Sequence, residues 1–139
     1  MLRVDLGCGK TKAEGFVGLD RFQMPGVDLV GDLDAALPFE SNSVDLIYAS
    51  HSLEHVHDLS FTIREIYRLL RHGGQLCIVA PYSEQKLNIA NPYHLATFNE
   101  HTPRFWTNYQ TADIATEEYE HPQTKHWGLL ESDNSPSDI

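Results

Sequence analysis

Leu2-Arg3-Val4-Asp5-Leu6-Gly7-Cys8-Gly9 is a short apolar run that ends on two glycines, and its reading decides the fold. Five residues of mainly apolar character, closed by Gly-x-Gly, describe a buried strand entering a tight turn. Residues 16–20, 27–30, 44–49 and 75–80 repeat the pattern, the last partly β-branched and stopped by Pro81. Between the fourth and fifth runs, Leu59, Ile63, Ile66, Tyr67 and Leu70 recur at helical spacing, with Arg64, Glu65, Arg68 and Arg71 in the solvent-facing positions. Asp58 stands where an N-cap is wanted and Gly73 where a left-handed C-terminal cap is wanted, while Arg71 and His72 complement the negative end of the helix dipole. A strand, an amphipathic helix and another strand imply a right-handed crossover between parallel neighbours.

The other connections are short. Residues 7–15 join the first two strands, where a full crossover takes about a dozen or more residues, so at most one helical turn fits, near residues 10–14. Residues 21–26 extend to roughly 20 Å, just enough to run back along a strand of about 17 Å, and leave no room for a helix. The expected fold is α/β, a Rossmann-like, mostly parallel sheet of about five strands with reduced helices, trimmed on one face.

A chain of 139 residues has the size of one domain, and 41% apolar with 22% charged residues suits a globular core. Residues 1–110 are expected to form that domain and residues 111–139 an acidic extension of it, where Glu117, Glu118, Glu120, Glu131, Asp133 and Asp138 face the single Lys125. A net charge of −10 disfavours nucleic acid and anionic membranes, which are met by clustered Lys and Arg. No run approaches the roughly 20 apolar residues that cross a bilayer, and the start has no signal-peptide core, so a cytoplasmic location is expected. Cys8, in the glycine loop, and Cys77, in a run read as a buried strand, are expected to stay reduced.

The chemistry starts at the glycine loop. Glycines at the carboxyl end of a first strand bring the backbone close to a ligand at the edge where open α/β sheets bind nucleosides. Asp20 ends the second strand, where a carboxylate can accept both hydroxyls of a ribose; Asp32 ends the third, where it can accept from an adenine amine. A dinucleotide needs a third glycine and a helix N-terminus for its pyrophosphate, and Lys12 stands at that third position with no full helix behind it. S-adenosylmethionine carries no phosphate and suits this pocket better.

The run 4–9 followed by Gly15-Phe16-Val17-Gly18-Leu19-Asp20 resembles the first two motifs of class I S-adenosylmethionine-dependent methyltransferases. In particular it resembles the type-11 branch, whose glycine loop passes almost directly into the second strand. Leu37-Pro38-Phe39-Glu40-Ser41-Asn42-Ser43-Val44-Asp45-Leu46-Ile47 is similar to that branch's approach to its fourth strand, and Ser50-His51-Ser52-Leu53-Glu54-His55 to the continuation. Arg64-Glu65-Ile66-Tyr67-Arg68-Leu69-Leu70-Arg71-His72-Gly73-Gly74 resembles its helix and paired-glycine turn, with His72 where proline is usual. The likeness covers residues 2–82, four motifs in order.

The resemblance implies roles. Gly7 and Gly9 would line the methionine and ribose, with Asp5 and Cys8 beside them; Asp20 and Arg21 would hold the ribose side, and Asp32 with Leu33 the adenine. Ser50 and His51 would face the sulfonium and the acceptor, and His51 or His55 could serve as general base. The implied activity is methyl transfer to a small-molecule or sugar-like acceptor. Family members usually carry two further strands after the fifth, whereas the residues after Pro81 are polar, aromatic and poorly periodic, so a truncated form is expected. A cofactor-binding but inactive sensor or interaction subunit is the alternative.

Histidines supply a rival reading. His51 and His55 could share a helix face and, with His57, His94 or His101, hold a metal ion, but no flanking sequence fixes a metal-binding frame and no metal is expected. Asn91-Pro92-Tyr93 is reminiscent of amino-methylating DNA enzymes, yet it lacks their second proline and follows the fifth strand. Tyr93, His94, Phe98, Phe105, Trp106 and Tyr109 are expected to form a lid, a packing surface or a homodimer interface.

Overall fold

A computed structural model describes residues 1–106, in two compact units, Met1–Asn99 and a second beginning at Glu100. Tyr109 and the acidic stretch 111–139 lie outside the described residues. The first unit is a sheet of β1 (Arg3–Leu6), β2 (Val17–Asp20), β3 (Leu29–Val30), β4 (Val44–Ser50) and β5 (Leu70–Val79), all parallel, in the order β3-β2-β1-β4-β5. Two helices accompany it, α1 (Leu59–Leu69) and the short α2 (Lys86–Ala90). The second unit contributes a 3-10 turn at Thr102–Trp106. No described helix is long and apolar enough to cross a membrane.

The sheet is built from the alternation of its strands. Val4 pairs with Ile47 and Leu6 with Leu19, and all four side chains are fully buried. Ile63, Ile66 and Leu69 of α1 complete this core, also without exposure. Each such side chain contributes about 1.5–3 kcal/mol on burial, so this face holds the unit together. Asp58 caps α1 as its position requires, accepting the Phe61 N–H at 3.0 Å.

The opposite face is thin, because the connections 7–16 and 21–28 contain no helix. Tyr48 is half-buried against Phe16, ring centroids 6.3 Å apart, and Cys77 beside it in register is exposed. The fifth strand is therefore covered on one side only, and the expectation of a buried Cys77 is corrected.

The exit of α1 also differs from the expectation. Leu70 is extended rather than helical and pairs with Val44 as the first residue of β5. Burial decides this, since Leu70 is 9% exposed where the chain turns back into the sheet. The register then slips, with Leu46 opposite Gln75, so Arg71 to Gly74 form an irregularity inside the strand. Gly73 has φ +75° there and does not cap the helix. A Cβ on Gly74 would stand 2.9 Å from the Arg71 carbonyl and 3.1 Å from that of Val44.

The polar side of α1 is more than a solvated face. Arg68 donates to Glu65 through Nε at 2.9 Å and Nη2 at 2.8 Å, and to the Leu37 and Phe39 carbonyls at 3.1 and 3.0 Å. That guanidinium holds the Glu65 carboxyl below its ordinary range and ties the segment before β4 to the helix. Arg71, expected to face solvent, pairs with Asp45.

Candidate functional site

The strand order reverses between β1 and β4, and open α/β sheets bind ligands in the crevice beyond the carboxyl ends at such a point. A cavity of about 520 Å³ opens there. Gly7, Asp20 and Gly31 form its floor, Asp32, Leu33 and Asp34 one side, and His51, Ser52 and His55 the other. Tyr93 and Leu95 close it from the segment after α2.

The glycine loop folds back over β2. Gly7 N–H donates to the Leu19 carbonyl at 2.7 Å, with φ +70°, and a Cβ on Gly7 would come within 2.4 Å of the Ser52 Cβ. Gly9 (φ +54°) donates its N–H to Asp20 Oδ2 at 2.9 Å, and Phe22 N–H donates to Asp20 Oδ1 at 3.1 Å. Two of the roughly four acceptor positions of the Asp20 carboxylate are thus used, and about two remain for hydroxyl donors. Asp32 Oδ1 accepts from Asp34 N–H at 2.9 Å, while its Oδ2 lies 3.6 Å from the Arg21 guanidinium, which sits over the Phe22 ring.

Of the residues singled out from sequence, Gly7, Asp20, Arg21, Asp32, Leu33, His51 and His55 line the cavity; Asp5, Cys8, Gly9 and Ser50 do not. Asp5 is 3% exposed and accepts the Ala13 N–H at 3.0 Å, holding the loop from beneath. Burial pushes its carboxyl up, against the opposing pull of that N–H and of Lys12. Cys8 fills the space left by Gly18, where a Cβ would stand 2.7 Å from Sγ. Burial, then Asp5 and Asp20, push its thiol up, which leaves it unreactive. Ser50 is spent on pairing with Val79.

Ser52 and Asp34 are among the lining residues that were not foreseen. Ser52 is 7% exposed and its Oγ makes no hydrogen bond among the described residues. Asp34 accepts His57 N–H at 2.7 Å, Asp58 N–H at 3.2 Å and His57 Nδ1 at 2.9 Å. Burial alone would raise its carboxyl, but these donors together bring it below the ordinary range. With Thr62 Oγ1 donating to the Leu33 carbonyl at 3.0 Å, they fasten the Asp32–Asp34 side of the cavity to the start of α1.

His51 and His55 do not share a helix face. His51 has φ +51°, a left-handed bend at the end of β4, and His55 closes a 3-10 turn, Leu53–His55. His57 is turned to Asp34, His55 lies against His94, and His101 belongs to the second unit. Three carboxylates at the strand ends against one guanidinium favour a ligand rich in hydrogen-bond donors and positive charge over a phosphate.

A family of methyltransferase domains matches residues 14–78. That stretch of the chain is thus similar to a methyltransferase domain. Among curated relatives, a ubiquinone/menaquinone biosynthesis C-methyltransferase of Pseudoalteromonas translucida is 32% identical over 57% of this chain and 34% of its own length. A demethylmenaquinone methyltransferase of Listeria welshimeri is 28% identical over 67% and 42% respectively. The chain thus spans well under half the length of either. Among solved structures, a chain of the complex between the Haloferax volcanii Trm112 methyltransferase activator and a putative methyltransferase is 25% identical, with TM-score 0.58, covering 74% of this chain and 57% of that one. A methyltransferase of Thermotoga maritima, 21% identical over 70% of this chain and 56% of its own, shares the fold at TM-score 0.57.

Proposed function

We propose that this domain binds S-adenosylmethionine in the cavity and transfers its methyl group to a small-molecule acceptor. The observation that carries the reading is the convergence of Gly7, Asp20 and Asp32 on one crevice at the switch point. The ribose hydroxyls donate to the free acceptor positions of Asp20, the adenine amine to Asp32, with Leu33 and Phe22 as apolar walls, and Ser52 Oγ finds its missing partner on the methionine portion. The carboxylates favour the cationic sulfonium and disfavour a pyrophosphate.

Transfer needs little covalent help, because the sulfonium is already an activated leaving group; the pocket supplies position and electrostatics. With a hydroxyl acceptor, its oxygen attacks the methyl carbon in line, the carbon–sulfur bond breaks to leave S-adenosylhomocysteine, and the proton passes to an imidazole. His51 is the better placed base, since it lines the cavity and its side chain is 62% exposed, whereas the His55 ring is fixed through Nδ1 to the Tyr93 carbonyl at 3.0 Å. The two relatives named for quinone biosynthesis make an aromatic ring carbon the first alternative acceptor to try.

Calorimetry with S-adenosylmethionine and S-adenosylhomocysteine tests the binding step. Saturable binding heats are expected from both, and Asp20→Ala should remove them while the fold, followed by circular dichroism, is kept. Equal heats from the variant would refute the assignment. A radiolabelled-methyl assay against hydroxylated and quinone-type acceptors then separates an enzyme from a binding protein.

A further inference from the structure

We infer that Glu54, His55 and His94 form a binding site for one first-row divalent cation such as Zn²⁺ or Mn²⁺ beside the cavity. Their ligand atoms all lie within 4.8 Å of one another. Glu54 is 1% exposed, a carboxylate buried within the 3-10 turn Leu53–His55, and its Oε2 makes no hydrogen bond among the described residues. Its other oxygen has two imidazole nitrogens near it, His51 Nδ1 at 3.7 Å and His55 Nε2 at 3.8 Å. Burying a carboxylate with half its acceptor capacity unused is expensive, and a cation is what removes the cost.

The two imidazoles are already oriented for ligation. His55 Nδ1 lies 3.0 Å from the Tyr93 carbonyl, which can only accept. His94 Nδ1 lies 2.7 Å from Asn88 Oδ1, and Asn88 is 4% exposed with its amide nitrogen committed to the Ser83 carbonyl at 3.2 Å. Both rings must therefore carry their proton on Nδ1 in the neutral form, which leaves both Nε2 lone pairs free. Fixing the outer ring nitrogen on a carbonyl is how metal-ligating histidines are held. The rings meet edge to face, centroids 4.8 Å apart, with Glu54 beside them.

Two imidazoles and one carboxylate suit Zn²⁺, Mn²⁺ or Fe²⁺ and do not suit Mg²⁺ or Ca²⁺, which prefer oxygen donors alone. A tetrahedral site with bonds of about 2.0–2.1 Å spaces its ligands about 3.4 Å apart, so the widest pair closes by roughly 1.4 Å, within the reach of side-chain rotation. Three protein ligands leave a coordination position open, and of the three His55 also lines the cavity. The ion's binding does not depend on methyl transfer, because it is measured without S-adenosylmethionine.

The test uses the full chain, purified without a polyhistidine tag and stripped with chelator, then titrated separately with Zn²⁺, Mn²⁺ and Mg²⁺. One equivalent of Zn²⁺ or Mn²⁺ is expected, weakened about 100-fold or more in Glu54→Gln and in His94→Ala, and about 10–100-fold in Asn88→Ala, which acts through the His94 ring. X-ray absorption at the metal edge of the unsubstituted chain should show two imidazole nitrogens and a carboxylate oxygen. Absence of stoichiometric binding, binding of Mg²⁺ alone, or affinity unchanged in the folded variants would overturn the site. Should the variants unfold, an edge spectrum without imidazole scattering would overturn it equally.

Discussion

Gly7 answers two demands at once, a left-handed backbone and a neighbour closer than any side chain allows. Gly7→Ala is therefore expected to cost about 2–5 kcal/mol, adding αL strain to overpacking against Ser52. Gly9, with φ +54° but nothing within 4 Å of a Cβ, should tolerate alanine at about 1–2 kcal/mol. Thermal or denaturant unfolding of the two variants checks the order, and equal losses would contradict the close approach of Gly7 to Ser52. The glycine pair was legible in the sequence as a turn; which glycine is pressed against a side chain was not, because Ser52 lies 45 positions away and only the fold brings it there. Glu54 and Asp34 escaped for the same reason. A carboxylate between Leu53 and Val56 signals something only once both neighbours prove buried, and Asp34 only once His57 and the N-cap of α1 stand beside it.

At the scale of elements, α1 holds the site through both of its ends. Its N-cap, Asp58, also receives the Asp34 link, so Asp58→Ala should cost about 1 kcal/mol, measured by chemical denaturation. Further along, the Glu65–Arg68 pair anchors the segment before β4. Glu65 is held below its ordinary value of 4.5 by Arg68, so its contribution to stability is complete above that value and fades as pH falls through the lower folded value. The stability gap between the unsubstituted chain and Glu65→Gln should accordingly shrink below about pH 4.5; a gap that widens on acidification would contradict the pair's role. Helical spacing gave α1 and its cap, but not its last residue. Leu70 satisfies the apolar stripe of a helix and the buried start of a strand equally, and pairing with Val44 decides for the strand.

At the scale of the whole first unit, short connections and the long helical crossover through α1 produce an all-parallel sheet with one well-covered face and a cleft at its switch point. That architecture was legible from five apolar runs and their spacing. The exposure of Cys77 was not, since an apolar run looks the same whether one or both faces are covered. The acidic character of the chain reappears locally as Asp20, Asp32 and Asp34 around the cavity.

A crystal structure grown with S-adenosylhomocysteine tests the central claim most directly. The ribose hydroxyls are predicted within hydrogen-bond distance of Asp20, the adenine beside Asp32 and Leu33, and the homocysteine over Gly7 and Ser52. A nucleoside lodged elsewhere, or a crevice that holds none at saturating ligand, would contradict the account.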